Sequence, residues 1–496
     1  MRQVIEREMQ LGEVSIKNMK FDLRSRDEIP KILQGLQSIY CDVATRDSVF
    51  KILMEMIPEN VNPNNGRKGM DLWQIFVLGC LRTDCNWDYD KLHEMANQHK
   101  TIREMLGHGL FDADKLYARQ TILDNVGLLT PSILDKINKV TVDYAHKVNG
   151  NNVDDILRGS CDSFVVETDV SFPTDISMLF KAIRKVIILI MQICEKENFS
   201  DWRQGKLNIR KVKKAFRKVQ LLKKSTSKNP ETKEKREQLI IDAHEIYMTI
   251  VEVFIDKALN TIQKLKANIS PDDILLFCKI KKIEDFLVHA DRQIEHIHRR
   301  VVEGETIAHH EKVFSIFEEH TEWISKGKAG VPVELGLKVC IVKDQDGFIL
   351  NHHVMEHETD DQIAVSFMKD TQELFPNFQA CSFDKGFHSK LNQKELAEIL
   401  DEVVLPRKGK LSQENKAIEG TEGFMEARRK HSAVESSINA LENHGLDRCL
   451  DHGLHGFKRY VALAVVARNI QMLGHILQMK EVERLKRLKR KQSKIG

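Results

Sequence analysis

Two apolar segments, each ending in a carboxylate, constrain the fold of this chain most strongly. Residues 163–169 (SFVVETD) predict a buried strand that ends at Asp169, and residues 378–384 (FQACSFD) predict a later one that ends at Asp384. Burying an unpaired charge is unfavourable, so each carboxylate needs a partner. If the two strands are neighbours in one sheet, their terminal carboxylates lie side by side.

The second half of the chain predicts a mixed sheet with helices on its faces, which is an α/β unit. Gly336, Asp346 and Gly347 mark places where the chain bends or turns. The further predicted strands are residues 312–317, 333–344, 347–355 and 401–409. Predicted helices cover residues 388–400, 425–445 and 458–480, and residues 411–424 are predicted to form a polar loop.

The rest of the chain is predicted to be helical, in agreement with its 25 glycines, 10 prolines and 6% aromatic residues. Residues 1–150 contain short helices joined by polar turns, with Asp71 and Asp88 as candidate N-caps. This region is either a DNA reader of the helix-turn-helix kind or a helical packing domain. Residues 179–305 predict a large insertion of helical hairpins, because no heptad pattern is sustained. The insertion divides an α/β domain of residues 155–178 and 306–480, and a basic tail of residues 481–496 follows.

Charge is distributed unevenly, although the net charge is only +3. Residues 203–236 contain fourteen Lys or Arg against two Glu, a balance that suits a polyanion such as nucleic acid. The candidate phosphate contacts in this stretch are Arg210, Lys211, Lys213, Lys214, Arg217 and Lys218. A solvated helix face explains them equally well. Lys326 and Lys328 are further candidates beside Trp323, whose position next to a strand is more typical of packing.

The nine cysteines occur singly, without any CxxC pair, which argues against a disulfide framework and against a zinc site. A reducing compartment fits this usage best. The first ten residues have no apolar core of a signal peptide, and no apolar run approaches the ~18 residues of a membrane span. The chain is therefore expected to be soluble and cytoplasmic, without a membrane partner.

Three acidic residues form the predicted site: Asp169, Asp384 and Glu435. Carboxylates are hard oxygen ligands, and several that converge can hold Mg²⁺ or Mn²⁺. Two such ions can activate a water or a 3′-hydroxyl and stabilise the leaving oxygen of a phosphodiester displacement. Each Asp taken alone is more typical of a cap or a turn, so the prediction depends on all three acids converging.

The residues around these acids have competing interpretations. Asp175 follows a Pro-Thr pair and is predicted to be a helix N-cap, whereas Asp162 is predicted to precede the strand. Arg428 and His431 lie seven and four residues before Glu435, so they share one face of a predicted helix. They either steady a nucleic-acid phosphate or pair with Glu435 as ordinary surface residues.

Three sequence blocks resemble the signatures of DDE transposases of bacterial insertion sequences: ETDVSFPTD, FDKGF and KHSAVESSINALE. The segment HTEWISKGKAGVPVELGLKV, with ETDDQ downstream, is similar to the ISNCY group, and residues 70–107 resemble the helical domain that precedes the catalytic core in such enzymes. The resemblance implies an RNase H-like core, with Asp169 and Asp384 on its first and fourth strands and Glu435 on a following helix. It also implies divalent metal, cleavage of double-stranded DNA at terminal inverted repeats, joining to target DNA, and a homodimer or larger synaptic assembly.

The chain departs from this family around the glutamate. Related transposases often carry Tyr, Arg and Lys where this chain has Arg428, His431 and Glu442. The missing Tyr and Lys argue against a hairpin mechanism that handles flipped DNA. Three other functions remain open: an RNase H-like endonuclease that cuts without joining, an inactive transposase-derived regulator that binds DNA, and a helical scaffold.

Overall fold

The computed structural model describes residues 12–58, 60–61, 69–152, 155–224, 230–268, 273–325 and 332–492. The chain divides into two compact units: the first comprises Met1–Asp169 with Glu322–Gly496, and the second comprises Val170–Thr321. The predicted positions Lys326 and Lys328 lie outside the described residues. The predicted insertion, residues 179–305, lies within the second unit.

The first unit begins with a set of helices. Their bounds are α1 Ile29–Cys41, α2 Val43–Leu53, α3 Leu72–Asp84, α4 Tyr89–Gln98, α5 Lys100–Met105, α6 Arg119–Val126 and α7 Pro131–Asn149. The two predicted N-caps are confirmed. Asp71 forms a capping box with Gln74 on α3, and Asp88 accepts a hydrogen bond of 2.7 Å from the Lys91 amide on α4.

The second unit is helical and has its own apolar core. Its helices are α8 Asp175–Lys196, α9 Gly205–Lys224, α10 Pro230–Asn268 and α11 Ile274–Ile297. Thr174 caps α8, so the prediction that Asp175 is the N-cap is wrong. Asp175 lies in the first turn instead, where its carboxylate accepts a hydrogen bond of 2.5 Å from Arg300. The predicted strand at residues 312–317 is also wrong, because that segment has no strand pairing.

A mixed seven-stranded sheet forms the centre of the first unit. Its strands are β1 Leu157–Thr168, β2 Glu322–Ser325, β3 Val333–Asp344, β4 Ile349–Met355, β5 Phe378–Phe383, β6 Glu402–Val404 and β7 Arg448–Cys449. The main order is β2-β3-β1-β5-β6, with β4 also paired to β3 and β7 to β1. β3 runs antiparallel to β1 and β4, whereas β5 runs parallel to β1 and β6. The α/β fold class is confirmed at this level.

Helices cover both faces of the sheet. Their bounds are α12 Asp360–Leu374, α13 Lys390–Ile399, α14 Gln413–Glu419, α15 Glu422–His431, α16 Ala433–Leu441 and α17 Gly453–Gln492. Val434 and Ile438 of α16 share a core cluster with Phe164 and Val166 of β1. On the opposite face, Phe367 of α12 belongs to the cluster that contains Cys161, Cys340 and Phe378. The core thus lies in two layers, one on each side of β1.

Two predictions for the C-terminal part are wrong, and one helix was not predicted. Residues 411–424 are not a loop throughout, since they contain α14 and the start of α15. The single helix predicted over residues 425–445 is divided at Ser432, which separates α15 from α16. Helix α12 has no counterpart among the predicted elements.

The long final helix, α17, packs closely against α1. A Cβ added at Gly474 would lie 1.8 Å from the Lys31 carbonyl oxygen, and one added at Gly35 would lie 2.1 Å from the Ile470 oxygen. Glycine therefore lets the two backbones touch. Among the described helices, α17 alone is long and apolar enough to cross a membrane, yet 72% of its apolar stretch is buried in the fold. It serves here as a core helix.

Candidate active site

The pairing of β1 with β5 determines which acids come together. Gly159, Ser160 and Cys161 pair with Cys381, Ser382 and Phe383 in parallel register. The next residues along the two strands are Asp162 and Asp384, so these two carboxylates are neighbours. The prediction that Asp162 precedes the strand is therefore wrong, because Asp162 lies in the middle of β1.

Asp169 lies elsewhere. It follows the end of β1, seven residues beyond Asp162, which corresponds to about 23 Å of extended chain. The prediction that Asp169 lies beside Asp384 is wrong for this reason. The Asp169 side chain is 57% exposed, and one of its oxygens lies 3.6 Å from Nη1 of Arg448, which also approaches Glu167. This is the geometry of a surface ion pair, which typically contributes about 0–1 kcal/mol to stability.

Glu435 approaches Asp162 from the covering helix. Side chains alternate along a strand, so Asp162, Phe164 and Val166 point to the same face of the sheet. α16 packs on that face through Val434 and Ile438, and Glu435 lies in its first turn. The structure therefore brings Glu435 towards the side of the sheet that carries Asp162.

The electrostatics of Asp162 reflect this arrangement. Burial, followed by the charges of Asp384, Asp360 and Glu435, raises its pKa from 3.8 to about 7. One hydrogen bond opposes the rise, since Oδ1 of Asp162 accepts from the Ser163 amide at 2.8 Å. Without a cation, the carboxyl group thus resists ionisation.

Hydrogen bonds fix the carboxylates of Asp384 and Asp360, which lie near Asp162. Oδ2 of Asp384 accepts a hydrogen bond of 3.3 Å from the Gly386 amide. Asp360, in the first turn of α12, accepts hydrogen bonds from the Ser163 hydroxyl at 2.6 Å and from Lys338 at 3.1 Å. Asp360 was not predicted to lie near the site, and its bond with Ser163, which points away from α16, puts it on the α12 side of the sheet. Its place directly after the N-cap Thr359 was the available signal, because it indicates a helix start near the sheet.

His431 adds an imidazole to the carboxylates. Its Nδ1 lies 3.0 Å from Oγ of Ser382, which in turn lies 2.9 Å from Oγ of Ser160. Burial lowers the pKa of His431, while Asp384 and Glu435 act in the opposite direction. Within the described part of the chain, Nε2 of His431 is buried and has no hydrogen-bond partner. Ser382 thus fixes Nδ1 of His431, whereas Nε2 can still form a hydrogen bond.

Arg428, predicted to share a helix face with His431 and Glu435, is exposed on α15. Because the helix is interrupted at Ser432, Arg428 and His431 belong to α15 and Glu435 to α16. The predicted arrangement on one continuous helix is therefore wrong. His431 is half-buried against the sheet, so only Arg428 of this pair is a free surface cation.

A second group of metal-ligand type lies at the far end of β3. Nε2 of His146 lies 2.6 Å from Oδ2 of Asp344, and the ligand atoms of His146, Asp344 and Asp346 all lie within 4.8 Å of one another. This cluster can hold a metal ion, but nothing in it selects a particular metal. Both carboxylates already accept protein hydrogen bonds: Asp344 from the Phe348 amide, and Asp346 from two Asn side chains.

A cavity of about 510 Å³ adjoins the carboxylates, between the sheet and α15. Ser160 and Ser382 line it, two residues before Asp162 and Asp384 on the same strands. The cationic side chains in its wall are Arg158, Lys343 and Lys430. Three acidic side chains, Asp344, Glu402 and Glu426, line it as well, so this recess beside the acidic group holds as many acids as cations.

The predicted basic residues of the second unit lie on α9. All six are exposed: Arg210, Lys211, Lys213, Lys214, Arg217 and Lys218. None of the six forms an ion pair with a described acidic side chain. Arg210 and Lys213 also line a groove of about 660 Å³ between α8 and α9, together with Arg184 and Lys206. This surface presents uncompensated positive charge to solvent.

No protein-family model, no curated protein and no solved structure matches this chain. Asp162 and Asp384 lie on neighbouring parallel strands, and Glu435 lies on the helix that covers them. Among the described residues, the ligand atoms that come within 4.8 Å of one another in a group of three are those of His146, Asp344 and Asp346.

Proposed function

We propose that this chain is a DDE transposase, which cleaves double-stranded DNA at terminal inverted repeats and joins the freed 3′-hydroxyl to target DNA. Its metal-binding residues are Asp162, Asp384 and Glu435. The observation that carries the proposal is the β1–β5 register, which makes Asp162 and Asp384 neighbours on the sheet face that α16 covers. Asp162 takes the place first predicted for Asp169.

The sheet order supports an RNase H-like core. β1 is the first strand of the sheet in chain order. β3 pairs antiparallel with β1 on one side, and β4 pairs antiparallel with β3. β5 pairs parallel with β1 on its other side, and β6 pairs parallel with β5. If the four-residue β2 is set aside, β1 and β5 are the first and fourth strands. This agrees with the arrangement that the resemblance to DDE transposases implies, with one acid on each of these strands and the third on a later helix.

The donor set fits Mg²⁺ or Mn²⁺. Three carboxylates offer only oxygen ligands, which these hard cations prefer, and the burial of Asp162 among like charges gives a cation a favourable place. When bound, the metal supplies activation of the attacking oxygen and stabilisation of the leaving oxygen. The chain itself positions the carboxylates on rigid elements and fixes the His431 ring through Ser382.

Double-stranded DNA is the proposed partner of the exposed basic face of α9. Unpaired Lys and Arg side chains replace counterions along the phosphate backbone, and this provides affinity without sequence specificity. Arg428 is a further proposed phosphate contact. Synapsis of two DNA ends requires a homodimer or a larger assembly, and such an enzyme acts on DNA in the cytoplasm.

Cleavage and joining of DNA that carries the flanking inverted repeats test this proposal. The chain is assayed with Mg²⁺, with Mn²⁺ and with EDTA, alongside Asp162→Asn, Asp384→Asn and Glu435→Gln. Metal-dependent cleavage with a joined product is expected for the wild type, and none of these three variants should cleave. Asp169→Asn is the matched control, because it removes an exposed carboxylate that follows the same strand, and it should retain activity.

Each other outcome has a distinct meaning. Cleavage without joining would identify an endonuclease, and DNA binding without cleavage in any protein would identify a regulator. Loss of cleavage in Asp169→Asn together with an active Asp162→Asn would refute the assignment of the first acid.

A further inference from the structure

The cavity beneath α15 contains a buried lysine without a carboxylate partner. Lys343 is only 9% exposed and lines the cavity. Its ammonium donates a hydrogen bond of 2.9 Å to the Ala433 carbonyl oxygen, and no described carboxylate lies within ion-pair distance of it. The adjacent Asp344 is already engaged by His146 and the Phe348 amide. A buried ammonium held only by a neutral carbonyl is unfavourable unless an anion completes it.

The other cations of the cavity are already neutralised. Arg158 pairs with Glu402, and Lys430 pairs with Glu426 at 2.9 Å. Among the three cations that line the recess, Lys343 is therefore the one without a described carboxylate as its counterion. The space is kept open because α15 has no buried residue and presents Gly423 and Ala427 to the cavity.

We propose that Lys343 binds a backbone phosphate of the DNA substrate, one nucleotide away from the phosphate that reacts at Asp162 and Asp384. The inference rests on the proposed function, and it assigns to the cavity the nucleotide next to the cleaved bond. Lys343 of β3 pairs with Ser160 of β1, and Ser160 lies two residues before Asp162, which is about 7 Å along the strand. This length matches the separation of successive phosphates in one nucleic-acid strand.

The size and chemistry of the recess agree with this occupant. A volume of about 510 Å³ lies within the range of small-molecule pockets and accommodates one nucleotide. A hydrogen bond between an ammonium and a phosphate oxygen is charge-assisted, and it is stronger than the bond to the Ala433 carbonyl that it would supplement. Lys343 is thus a substrate-positioning residue and does not act on the reacting atoms.

A double-mutant cycle between the protein and the DNA tests the inference. Binding is measured for wild type, Lys343→Gln and Lys343→Arg on DNA in which single phosphates near the cut are replaced in turn by uncharged methylphosphonates. One position should weaken wild-type binding about tenfold, as expected for a lost charged contact. The same replacement should have no further effect on Lys343→Gln, whereas Lys343→Arg should respond as the wild type does. Lys369→Gln, an exposed lysine on α12, is the matched control and should remain sensitive to it.

The result that would overturn the inference is additivity at every position, with Lys343→Gln as sensitive as the wild type. Selective binding of a free deoxynucleoside monophosphate by wild type, without coupling on DNA, would also overturn it. Circular dichroism checks that Lys343→Gln is folded, and Lys343→Arg, which keeps the charge, should show the wild-type sensitivity at the same phosphate. Because binding is read without cleavage, coupling with no cleavage would refute only the proposed reaction, and metal-dependent cleavage with additivity would refute only the role of Lys343.

Discussion

Replacing Asp162 by Asn should stabilise the metal-free protein at neutral and alkaline pH, although it should abolish cleavage. Burial, followed by the charges of Asp384, Asp360 and Glu435, raises the pKa of Asp162 from 3.8 to about 7. The Asn side chain carries no charge, and its oxygen can still accept the hydrogen bond from the Ser163 amide. The substitution therefore removes the repulsion and keeps the local geometry.

The sign and size follow from proton linkage. An acid whose pKa is higher in the folded state binds its proton more tightly there, so stability falls as pH rises from 3.8 to about 7. Each tenfold change in proton affinity corresponds to about 1.4 kcal/mol, which bounds the penalty above pH 7 at about 4 kcal/mol. Because Asp162 is only partly buried, solvent screening reduces this bound. At pH 4 the penalty is close to zero.

Urea unfolding in EDTA at pH 4 and pH 8, followed by circular dichroism, measures the effect. Asp162→Asn should gain stability over the wild type at pH 8 and little at pH 4. Asp169→Asn, which removes an exposed carboxylate, should change by less than about 0.5 kcal/mol at either pH. Added Mg²⁺ should stabilise the wild type more than Asp162→Asn. A loss of stability in Asp162→Asn at pH 8 would refute the reasoning, because it would mean that the carboxylate is stabilised where it lies.

Three further predictions concern DNA binding and packing. Replacing three lysines of α9 by Gln, namely Lys213, Lys214 and Lys218, should weaken DNA binding and reduce the slope of log K against log salt by up to about 3. The matched control replaces three lysines of α11, namely Lys279, Lys281 and Lys282, and should have little effect. Gly474→Ala should lower the free energy of unfolding by about 1–3 kcal/mol, because its Cβ would overlap the backbone of α1, and Gly423→Ala, with open space around it, should not. Asp451→Asn should lower the free energy of unfolding by about 3–5 kcal/mol, because it leaves the buried Arg82 without its carboxylate at 2.7 Å. Asp90→Asn, which breaks an exposed ion pair, should lower it by at most about 1 kcal/mol. Urea titrations measure the glycine and the aspartate variants.

The bounds of a strand or helix could be predicted from the sequence where they depend only on residues within that element or next to it. β3 has the bounds predicted for it, because its apolar residues lead into a turn in which Gly347 adopts a positive φ of 92°. Asp71 and Asp88 cap the helices predicted for them, because capping depends on residues three positions apart. Local chemistry was sufficient in these cases.

The first half of β1 could not be predicted in this way, because its burial comes from its neighbours. Residues 157–162 include a glycine, a serine and charged residues, which do not form an apolar run. Gly159 lies where a Cβ would come within 2.3 Å of the Lys343 oxygen and 2.8 Å of the Phe378 ring. Small residues are required there by the strands on both sides, and that requirement exists only in the assembled sheet.

The choice between Asp162 and Asp169 depends on strand parity. Phe164 and Val166 face α16, so every even-numbered residue of β1 faces the helix that carries Glu435. Asp162 satisfies this condition, whereas Asp169 has the opposite parity and lies beyond the last paired residue. On β5, Ser382 pairs with Ser160, and Asp384 therefore has the parity of Asp162. A carboxylate at a strand end is conspicuous in a sequence, but one inside a strand can meet a second strand and a covering helix at once, and a shared metal site needs all three.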